Sequence, residues 1–345
     1  MQTLHLTHNE NDIQTAGKIL SEGGLVAIPT ETVYGLAANA LDGAAVAKIF
    51  AAKGRPMDNP LIVHIADFSD MERFSLVREI PEAAYRLAAT FWPGPLTIIM
   101  KKGSAVPDAV SAGLDTVAIR FPAHPLAQAV IRAAGVPLAA PSANLSGSPS
   151  PTSAKHVLHD MDGKIDAVLD GGLCAVGLES TVITLVTEVP RVLRPGGVTP
   201  EMLSEALGEV EIDDAVIHQL PEGAKAASPG MKYKHYAPKA NVILLKCGDG
   251  DFIDYVNRSA GRGVAALCCD EDLPLLHNVK AISLGRRGDY GAQAHNLFDS
   301  LRRIDGYGDV VTVFSRLPSP DGVGLAVYNR LIRAAGFEVI DLEQS

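Results

Sequence analysis

The first chemically suggestive segment is residues 29–35, Pro-Thr-Glu-Thr-Val-Tyr-Gly, which follows a short apolar run at 25–28. The run predicts a buried strand, and Pro29 ends it. Ligands collect at the carboxyl ends of strands in open α/β sheets, so the hydroxyls of Thr30 and Thr32 are well placed to bind one. Thr and Val also suit a pleated surface, and by pattern alone the segment is more typical of a strand that continues.

A basic loop at residues 53–60, Lys-Gly-Arg-Pro-Met-Asp-Asn-Pro, connects a predicted helix to the next strand. Two cations flank a glycine and two prolines keep the loop extended, so Lys53 and Arg55 could meet a phosphate at little ordering cost. A solvated basic helix end that complements the helix dipole explains the same residues equally well. His64 lies inside the next strand, where a lone histidine is more often a core residue than a functional one.

A third polar loop, residues 141–150, is Pro-Ser-Ala-Asn-Leu-Ser-Gly-Ser-Pro-Ser and follows a strand predicted at 138–140. Its hydroxyls and amide offer many neutral donors for a nucleotide or a carboxylate, although any Ser/Pro-rich loop looks similar. Two further segments, 177–181 (Gly-Leu-Glu-Ser-Thr) and 194–197 (Arg-Pro-Gly-Gly), also lie at the borders of predicted strands. A shared cleft is built at such borders, so we expect these loops to meet.

Composition and missing motifs limit what that cleft can be. The chain has no G-x-x-x-x-G-K-[ST] loop, no G-x-G-x-x-G opening a βαβ unit, no G-x-S-x-G elbow and no H-E-x-x-H. The pattern alone therefore predicts an anion-binding α/β enzyme and does not identify ATP. A non-enzymatic RNA-binding module is the alternative; the net charge of -10 argues against it, although a basic groove could be hidden in that sum.

The termini and the cysteines indicate a cytoplasmic protein. The N-terminus carries no apolar h-region, and no apolar run approaches the ~20 residues that cross a bilayer. The four cysteines are Cys174, Cys247, Cys268 and Cys269, and they form no C-x-x-C pair. This spacing excludes zinc knuckles and thioredoxin-type chemistry and indicates reduced thiols.

Helix and strand patterns alternate along the chain, which predicts an α/β protein. In the first part, helices are expected at 11–21, 42–53, 81–92 and 199–207, and strands at 25–28, 61–65, 96–100, 117–120, 138–140, 167–169 and 181–186. Residues 209–239 have linker composition, with acidic residues followed by repeated Pro and Gly. Strands at 242–245, 264–267, 281–284 and 310–314, with helices from 251, at 292–303 and at 326–335, then indicate a small doubly wound domain. The predicted organisation is a domain at 1–208, a linker at 209–239 and a second domain at 240–345.

Part of the linker, residues 228–238, is unusually rich in Tyr, Lys and His. By itself such a run is more often a solvated loop than a functional element. The alternative is a segment that folds over an anionic ligand and closes the site.

Taken together and in order, these segments closely resemble the YrdC-like threonylcarbamoyl-AMP synthase family in its two-domain long form. The motifs that carry the resemblance are Pro-Thr-Glu-Thr-Val-Tyr-Gly-Leu at 29–36, Lys-Gly-Arg-Pro at 53–56, Asn-Pro-Leu at 59–61, Trp-Pro-Gly-Pro-Leu-Thr at 92–97, Ala-Ile-Arg-Phe-Pro at 118–122, Pro-Ser-Ala-Asn-Leu-Ser-Gly at 141–147, Ser-Thr-Val at 180–182 and Leu-Arg-Pro-Gly at 193–196. The linker and trailing domain extend the match to nearly the whole chain. The resemblance implies an N-terminal open, twisted mixed sheet with helices, whose concave face binds nucleotide and threonine, and a smaller C-terminal doubly wound, Rossmann-like α/β domain.

The resemblance also implies a reaction, in which L-threonine, bicarbonate and ATP give threonylcarbamoyl-AMP and pyrophosphate for the modification of an adenosine in tRNA. No acidic pair marks a metal site, so we expect Mg²⁺ to arrive with the triphosphate of ATP. The expected partners are the three substrates and a downstream tRNA-modifying transferase complex, with no membrane and no stable nucleic-acid binding. A carbamoyl-transferring maturation factor is a related alternative, but this chain lacks the cysteines for the zinc fingers of those proteins.

Residue roles follow from the matching motifs. The threonine-binding set implied by the resemblance is Thr32, His64, Arg120, Ala140 (through its backbone) and Ser180. The implied ATP-binding set is Lys53, Arg55, Asn59, Thr116, Ser142, Asn144, Ser150, Arg194 and the linker pair His235 and Tyr236. Lys53 and Arg55 are also expected to act in catalysis by stabilising charge on phosphoryl oxygens. His64 is a candidate for the base that deprotonates the threonine amine, and a binding role for it is an equal alternative.

Overall fold

The computed structural model describes residues 2–219 and 235–343. Within these residues the chain divides into two compact units. The first contains residues 2–146 and 150–216, and the second contains 147–149, 217–219 and 235–343. Most of the Tyr/Lys/His-rich part of the predicted linker, residues 228–234, lies outside the described residues.

The first unit is built on one mixed, 11-stranded sheet. Its strands, in chain order, are β1 Leu4–Leu6, β2 Val26–Ile28, β3 Gly35–Asn39, β4 Ile62–His64, β5 Leu96–Lys101, β6 Thr116–Arg120, β7 Leu138–Ala139, β8 Ala167–Leu169, β9 Thr181–Thr184, β10 Arg191–Arg194 and β11 Glu211–Ile212. Across the sheet they run β1-β8-β2-β3-β7-β4-β6-β5-β9-β10-β11. β4 lies parallel to β6, and β6 lies antiparallel to β5.

Capping residues mark the helix ends of this unit. The helices are α1 Glu10–Ser21, α2 Gly43–Lys53, α3 Asp70–Arg73, α4 Glu82–Phe91, α5 Asp108–Ser111, α6 Pro125–Ala134, α7 Ala154–Met161 and α8 Pro200–Leu207. The side chain of Asp42 accepts hydrogen bonds from the first turn of α2, and Thr199 caps α8 with Pro200 at its first position. The predicted starts of these two helices are confirmed.

The two faces of the large sheet are covered differently. α1 and α6 pack on one face, over β1, β8, β2, β3 and β7, in a cluster that includes Leu138 and Ala140. α2, α4, α7 and α8 cover the opposite face. Further along the first face, a smaller apolar cluster consists of strand residues and one residue of the 3-10 turn Asp214–Val216, namely Ile62, Ile99, Ala118, Val182, Leu193 and Ala215. The polar residues predicted for the site lie beside this smaller cluster.

Two parts of the chain differ from the sequence prediction. Residues 30–34 do not continue β2; they connect it to the antiparallel strand β3. Within the predicted linker 209–239, β11 pairs in parallel with β10 and the turn Asp214–Val216 follows, so these residues belong to the first unit. A two-residue strand among acidic residues leaves no periodic signal, which explains why its composition resembles a linker.

The second unit contains a 5-stranded sheet in the order β14-β13-β15-β12-β16. Its strands are β12 Asn241–Lys246, β13 Val264–Cys268, β14 Lys280–Ser283, β15 Thr312–Arg316 and β16 Val339–Asp341, and its helices are α9 Asp249–Ser259, α10 Tyr290–Gly306 and α11 Gly322–Ala334. All strand pairs of this sheet are parallel, which confirms the doubly wound prediction. Among the described residues, no helix combines the length and apolar character that a bilayer span requires.

Candidate active site

A row of residues crosses five neighbouring strands of the first unit. His64 on β4 pairs with Arg120 on β6, Arg120 with Thr97 on β5, Thr97 with Val182 on β9, and Val182 with Arg194 on β10. Directly paired residues share one face of a sheet. The register of β10 shifts just before Arg194, and this irregularity turns the arginine onto the common face. The sheet therefore brings three predicted site residues from separate segments, His64, Arg120 and Arg194, onto one surface.

An ion pair joins Arg120 to Glu31 in the connection between β2 and β3. Arg120 Nη2 donates to Glu31 Oε1 at 2.7 Å, and the two side chains are only 5% and 12% exposed. Burial by itself raises the pKa of Glu31, but the charge of Arg120 and its hydrogen bond outweigh burial and hold that pKa below its ordinary value. Glu31 is thus ionised, and the sequence did not predict it as a site residue.

Thr30 builds the turn that carries Glu31 and Thr32. Its hydroxyl donates to Val33 O at 2.6 Å and accepts the backbone N–H of Thr32 and Val33 at 3.2 Å each. The Thr30 and Thr32 hydroxyl oxygens are 2.9 Å apart, and Thr32 is the donor because Thr30 has used its hydrogen. Val176 N donates to Glu31 O at 2.8 Å, which ties this turn to the segment before β9.

Ser180 is held from two sides at the start of β9. Its Oγ lies 2.8 Å from Thr97 Oγ1, and it accepts a hydrogen bond from Arg194 Nη2 at 3.1 Å. Arg194 Nε also donates to Ser180 O at 3.0 Å. All three side chains are buried. Thr97 was part of a quoted motif but was not predicted as a site residue; a polar residue inside the apolar strand β5 was the available signal.

His64 is uncharged at neutral pH. Its ring Nδ1 lies 3.2 Å from Ile62 O, and the residue is buried. Burial, followed by the charge of Arg120, lowers its pKa to about 3. A group with this pKa is a weak proton acceptor, which favours a binding role over a role as base. Ala140 lies beside this strand and donates its N–H to Ile62 O at 3.0 Å.

Lys53 joins two of the predicted nucleotide segments. It is buried at the end of α2, and its Nζ donates to Ser142 O and to Asn144 O at 2.5 Å each. Ser146 N donates in return to Lys53 O at 2.9 Å. A bridge between Gly35 and Ser142 attaches the same loop to β3. The basic motif and the hydroxyl loop therefore meet, and Lys53 shapes the loop.

The remaining residues predicted to bind the nucleotide lie in two further places: Arg55 and Thr116 are near Pro60, and Ser150 is beside Glu179. Arg55 Nη2 donates to Asn59 O and Pro60 O at 3.3 Å, so it closes its own loop. Thr116 lines a small cavity together with Pro60, and it lies four residues before Arg120 on the same face, about 13 Å along the strand. Ser150 is fully buried and donates to Glu179 Oε1 at 2.5 Å.

The pair His235 and Tyr236 is described within the second unit. Tyr236 is 1% exposed, and its ring centroid lies 5.2 Å from that of Phe298. Ala237 N donates to Gly147 O at 3.0 Å, which joins this short segment to residues 147–149 of the same unit. The predicted contact of this pair with ATP stays a prediction.

The second unit has its own crevice at the carboxyl ends of β13 and β15. A cavity of about 90 Å³ there is lined by Cys268, Arg287 and Arg316, among others. Each arginine donates to Asp272 Oδ1 at 2.8 Å, so their charge is compensated inside the unit. Burial raises the pKa of Cys268 to about 12, and all four cysteines are free, as predicted.

Comparison with known proteins assigns the chain to a family. One family model, described as "Telomere recombination" (Sua5_yciO_yrdC), matches residues 18–196, and another, described as "Threonylcarbamoyl-AMP synthase, C-terminal domain", matches residues 198–336. The threonylcarbamoyl-AMP synthase of Bacillus subtilis (strain 168) is 46% identical over 342 residues, which cover 98% of this chain and 97% of that protein. The chain belongs to the threonylcarbamoyl-AMP synthase family.

Two comparisons with Pyrococcus abyssi proteins also match this chain over nearly its whole length. The threonylcarbamoyl-AMP synthase of Pyrococcus abyssi (strain GE5 / Orsay) is 46% identical over 340 residues, 95% of each protein. The crystal structure of P. abyssi Sua5 complexed with L-threonine has a TM-score of 0.91 and 43% identity, and the match covers 99% of this chain and 100% of that one. The fold and the activity implied by the sequence motifs are confirmed: this is an ATP-using enzyme that forms threonylcarbamoyl-AMP for tRNA modification.

Proposed function

We propose that the row on β4, β6, β5 and β9 holds L-threonine, and that Arg194 on β10 and the loops at 53–60 and 141–150 hold ATP beside it. The observation that carries this proposal is one continuous series of contacts and strand pairings, which runs from Glu31 through Arg120, Thr97 and Ser180 to Arg194. Its two arginines stand three strand spacings apart, about 14 Å between backbones. Long side chains at this spacing suit a carboxylate and a phosphate held next to each other.

At the threonine end, Arg120 binds the carboxylate. A guanidinium grips a carboxylate through two parallel hydrogen bonds, and a buried one does so strongly because water does not compete. The neutral His64 next to it adds no further positive charge beside Arg120. Thr32 and Ser180 provide hydroxyls that are fixed by Thr30 and by Thr97, so analogues that leave them unpaired are rejected.

At the ATP end, cations surround the position where charge develops. The carbamate oxygen of carboxylated threonine forms a bond to the α-phosphorus while the bond to pyrophosphate breaks, and pyrophosphate carries away the bonding electrons. Arg194, Lys53 and Arg55 stabilise the charge on the phosphoryl oxygens, with Asn59, Thr116, Ser142, Asn144 and Ser150 as polar neighbours of the nucleotide. Because Lys53 holds the carbonyls of residues 142 and 144, it also keeps the loop in shape for the nucleotide.

Mg²⁺ enters as part of the ATP substrate. In the part of the chain that the structure describes, no group of three or more His, Cys, Asp or Glu residues could hold a metal ion. A triphosphate supplies the oxygen ligands that Mg²⁺ prefers, and the ion keeps several waters. The described side chains are therefore compatible with a Mg²⁺ ion whose ligands come mainly from the triphosphate of ATP and from water.

The product passes to a separate tRNA-modifying transferase. A mixed anhydride of a carbamate and AMP hydrolyses readily, so it must be shielded and then used quickly. The net charge of -10 gives this chain no broad attraction for tRNA, which favours a partner that binds the tRNA itself.

Pyrophosphate release tests the reaction. The full chain is incubated with MgATP while L-threonine and bicarbonate are left out in turn. We expect release only when both are present, because the carbamate is the nucleophile. Turnover of ATP that is indifferent to threonine contradicts the proposal, and omission of bicarbonate from a degassed buffer controls for dissolved carbon dioxide.

A further inference from the structure

The ion pair between Glu31 and Arg120 leaves two buried polar atoms incomplete. Glu31 Oε2 and Arg120 Nε are both inaccessible to solvent, and neither atom meets a described partner at hydrogen-bond distance and angle. The backbone N–H groups of Glu31 and Ala123 also act on the Glu31 carboxylate and help to lower its pKa. Buried polar atoms are nearly always paired in native proteins, and an ionised carboxylate oxygen is among the most costly to leave alone. An unpaired acceptor and an unpaired donor on two side chains in direct contact therefore indicate a ligand that offers both complements.

An α-amino acid offers these two complements at the required spacing. Its carboxylate accepts from a guanidinium, and its ammonium donates to a carboxylate, with only the α-carbon between the two groups. We infer that Glu31 binds the α-ammonium group of L-threonine through Oε2 while Arg120 binds the α-carboxylate. This inference rests on the proposed function, in which Arg120 already takes the carboxylate.

The turn around Glu31 is built to hold the carboxylate still. The Thr30 hydroxyl closes the turn through three hydrogen bonds, and Val176 N donates to Glu31 O at 2.8 Å. Arg120 Nη2 fixes the other carboxylate oxygen at 2.7 Å. Such preorganisation means that binding needs little reordering of the protein. Thr32 is the next residue, so one short turn presents both an ammonium receptor and a hydroxyl to the amino acid.

A purely structural role for Glu31 makes a different prediction. If Glu31 served only to neutralise Arg120, its removal would change the binding of every ligand that uses the arginine to the same extent, whether or not the ligand has an amino group. If Glu31 binds the ammonium, only ligands that carry the ammonium respond. The comparison of two ligands on one variant therefore separates the two roles.

The test uses calorimetric titration of the full chain at pH 7 with two ligands. One is L-threonine, and the other is 2,3-dihydroxybutanoate of the same configuration, in which a hydroxyl replaces the ammonium. The variant is Glu31→Gln, since a glutamine amide oxygen can still accept from Arg120. Glu72→Gln, at an exposed position of α3, is the matched control.

We expect Glu31→Gln to weaken L-threonine binding by about 10- to 100-fold, the size of a hydrogen bond to a charged group, and to change binding of the hydroxy analogue by less than about 3-fold. The control variant should bind both ligands like the unaltered chain. Equal losses for both ligands, or no loss for L-threonine, overturn the inference.

Two further outcomes keep the test decisive. If Glu31→Gln fails to fold, the unaltered chain decides: it should prefer L-threonine over the hydroxy analogue by about 10-fold or more, and equal affinity overturns the inference. Failure of the proposed function itself looks different, because the unaltered chain then binds neither ligand and releases no threonine-dependent pyrophosphate.

Discussion

His64 and Arg120 lie directly opposite each other on the parallel strands β4 and β6, with their side chains on one face. Burial and the neighbouring arginine lower the pKa of His64 from 6.5 to about 3. Below pH 6.5 the unfolded chain therefore takes up a proton that the folded chain refuses until about pH 3. The contribution of the neutral His64 to folding stability is fully present above pH 6.5 and is lost as the pH falls from there toward 3.

Replacement of His64 should remove this pH dependence. Relative to His64→Gln, the unaltered chain should lose stability below pH 6.5 with a slope approaching about 1.4 kcal/mol per pH unit. Denaturant unfolding between pH 7.5 and 5 measures it, and the fluorescence of Trp92, the single tryptophan, reports on the first unit. His8→Gln at an exposed position is the control, and a pH-independent difference for His64→Gln would show that the imidazole is not held neutral.

Thr97→Val should impair turnover through Ser180 and Arg194. Valine keeps the shape but removes the hydroxyl that lies 2.8 Å from Ser180 Oγ, so Ser180 loses one of its two restraints. We expect kcat/KM for L-threonine to fall about 5- to 10-fold, the worth of one neutral hydrogen bond, in pyrophosphate-release assays. Thr97→Ser should restore most of the rate; if serine is as impaired as valine, packing and not the hydroxyl is responsible.

Loss of Lys53 and loss of Arg55 should differ in their effect on the free energy of unfolding. Lys53→Met leaves two loop carbonyls without their donor and should lower the free energy of unfolding by about 1–3 kcal/mol as well as the rate. Arg55 is half-buried and its two loop hydrogen bonds are long, at 3.3 Å, so Arg55→Ala should lower stability less than Lys53→Met does. It should weaken ATP binding because a cation that faces phosphate is lost. Isothermal titration with MgATP and Trp92-monitored unfolding measure the two effects. Arg86→Ala, exposed on α4, is the control, and unchanged ATP binding in Arg55→Ala would remove this residue from the site.

Asp272→Asn should destabilise the second unit. Burial raises the pKa of Asp272, but the hydrogen bond and charge of Arg316, with Arg287, outweigh it, so the carboxylate is ionised and its pKa lies below the ordinary value. Asparagine keeps one acceptor oxygen but removes the charge that pairs with both arginines, which should cost about 1.5–3 kcal/mol. The contribution of Asp272 is present above the pKa of the unfolded chain and is lost as pH falls through the lower folded value. Hydrogen exchange of β13 and β15 measures it against Asp254→Asn, an exposed control; equal protection in the two variants contradicts the expectation.

Much of the local structure could be predicted from short-range signals. Asp42 and Thr199 mark helix starts because a capping side chain bonds to backbone groups two or three residues away. Apolar runs such as those of β4 and β5 identify buried strands. The ordered motifs by themselves identify the family. The grouping of His64, Arg120, Ser180 and Arg194 was expected from the same motifs.

Other features depend on contacts between distant segments. The pairing of Glu31 with Arg120 spans 89 residues, and neither motif by itself indicates it. The interpretation of residues 29–35 as a continuing strand was the more typical one, but the antiparallel return of β3 requires a turn there. The buried contact of Ser150 with Glu179 joins two loops that the motifs led us to expect together, but neither motif indicates which two side chains pair.

By itself, the sequence determined where several of the helices and strands begin, which motifs carry cations and hydroxyls, and the family to which they belong. Only the tertiary structure decided the strand register that lines up His64, Arg120, Thr97 and Arg194, and the partner of each charged group. The physical reason is range. Caps and periodicity act within a few residues, whereas register and ion pairing depend on how segments far apart in the chain pack against one core.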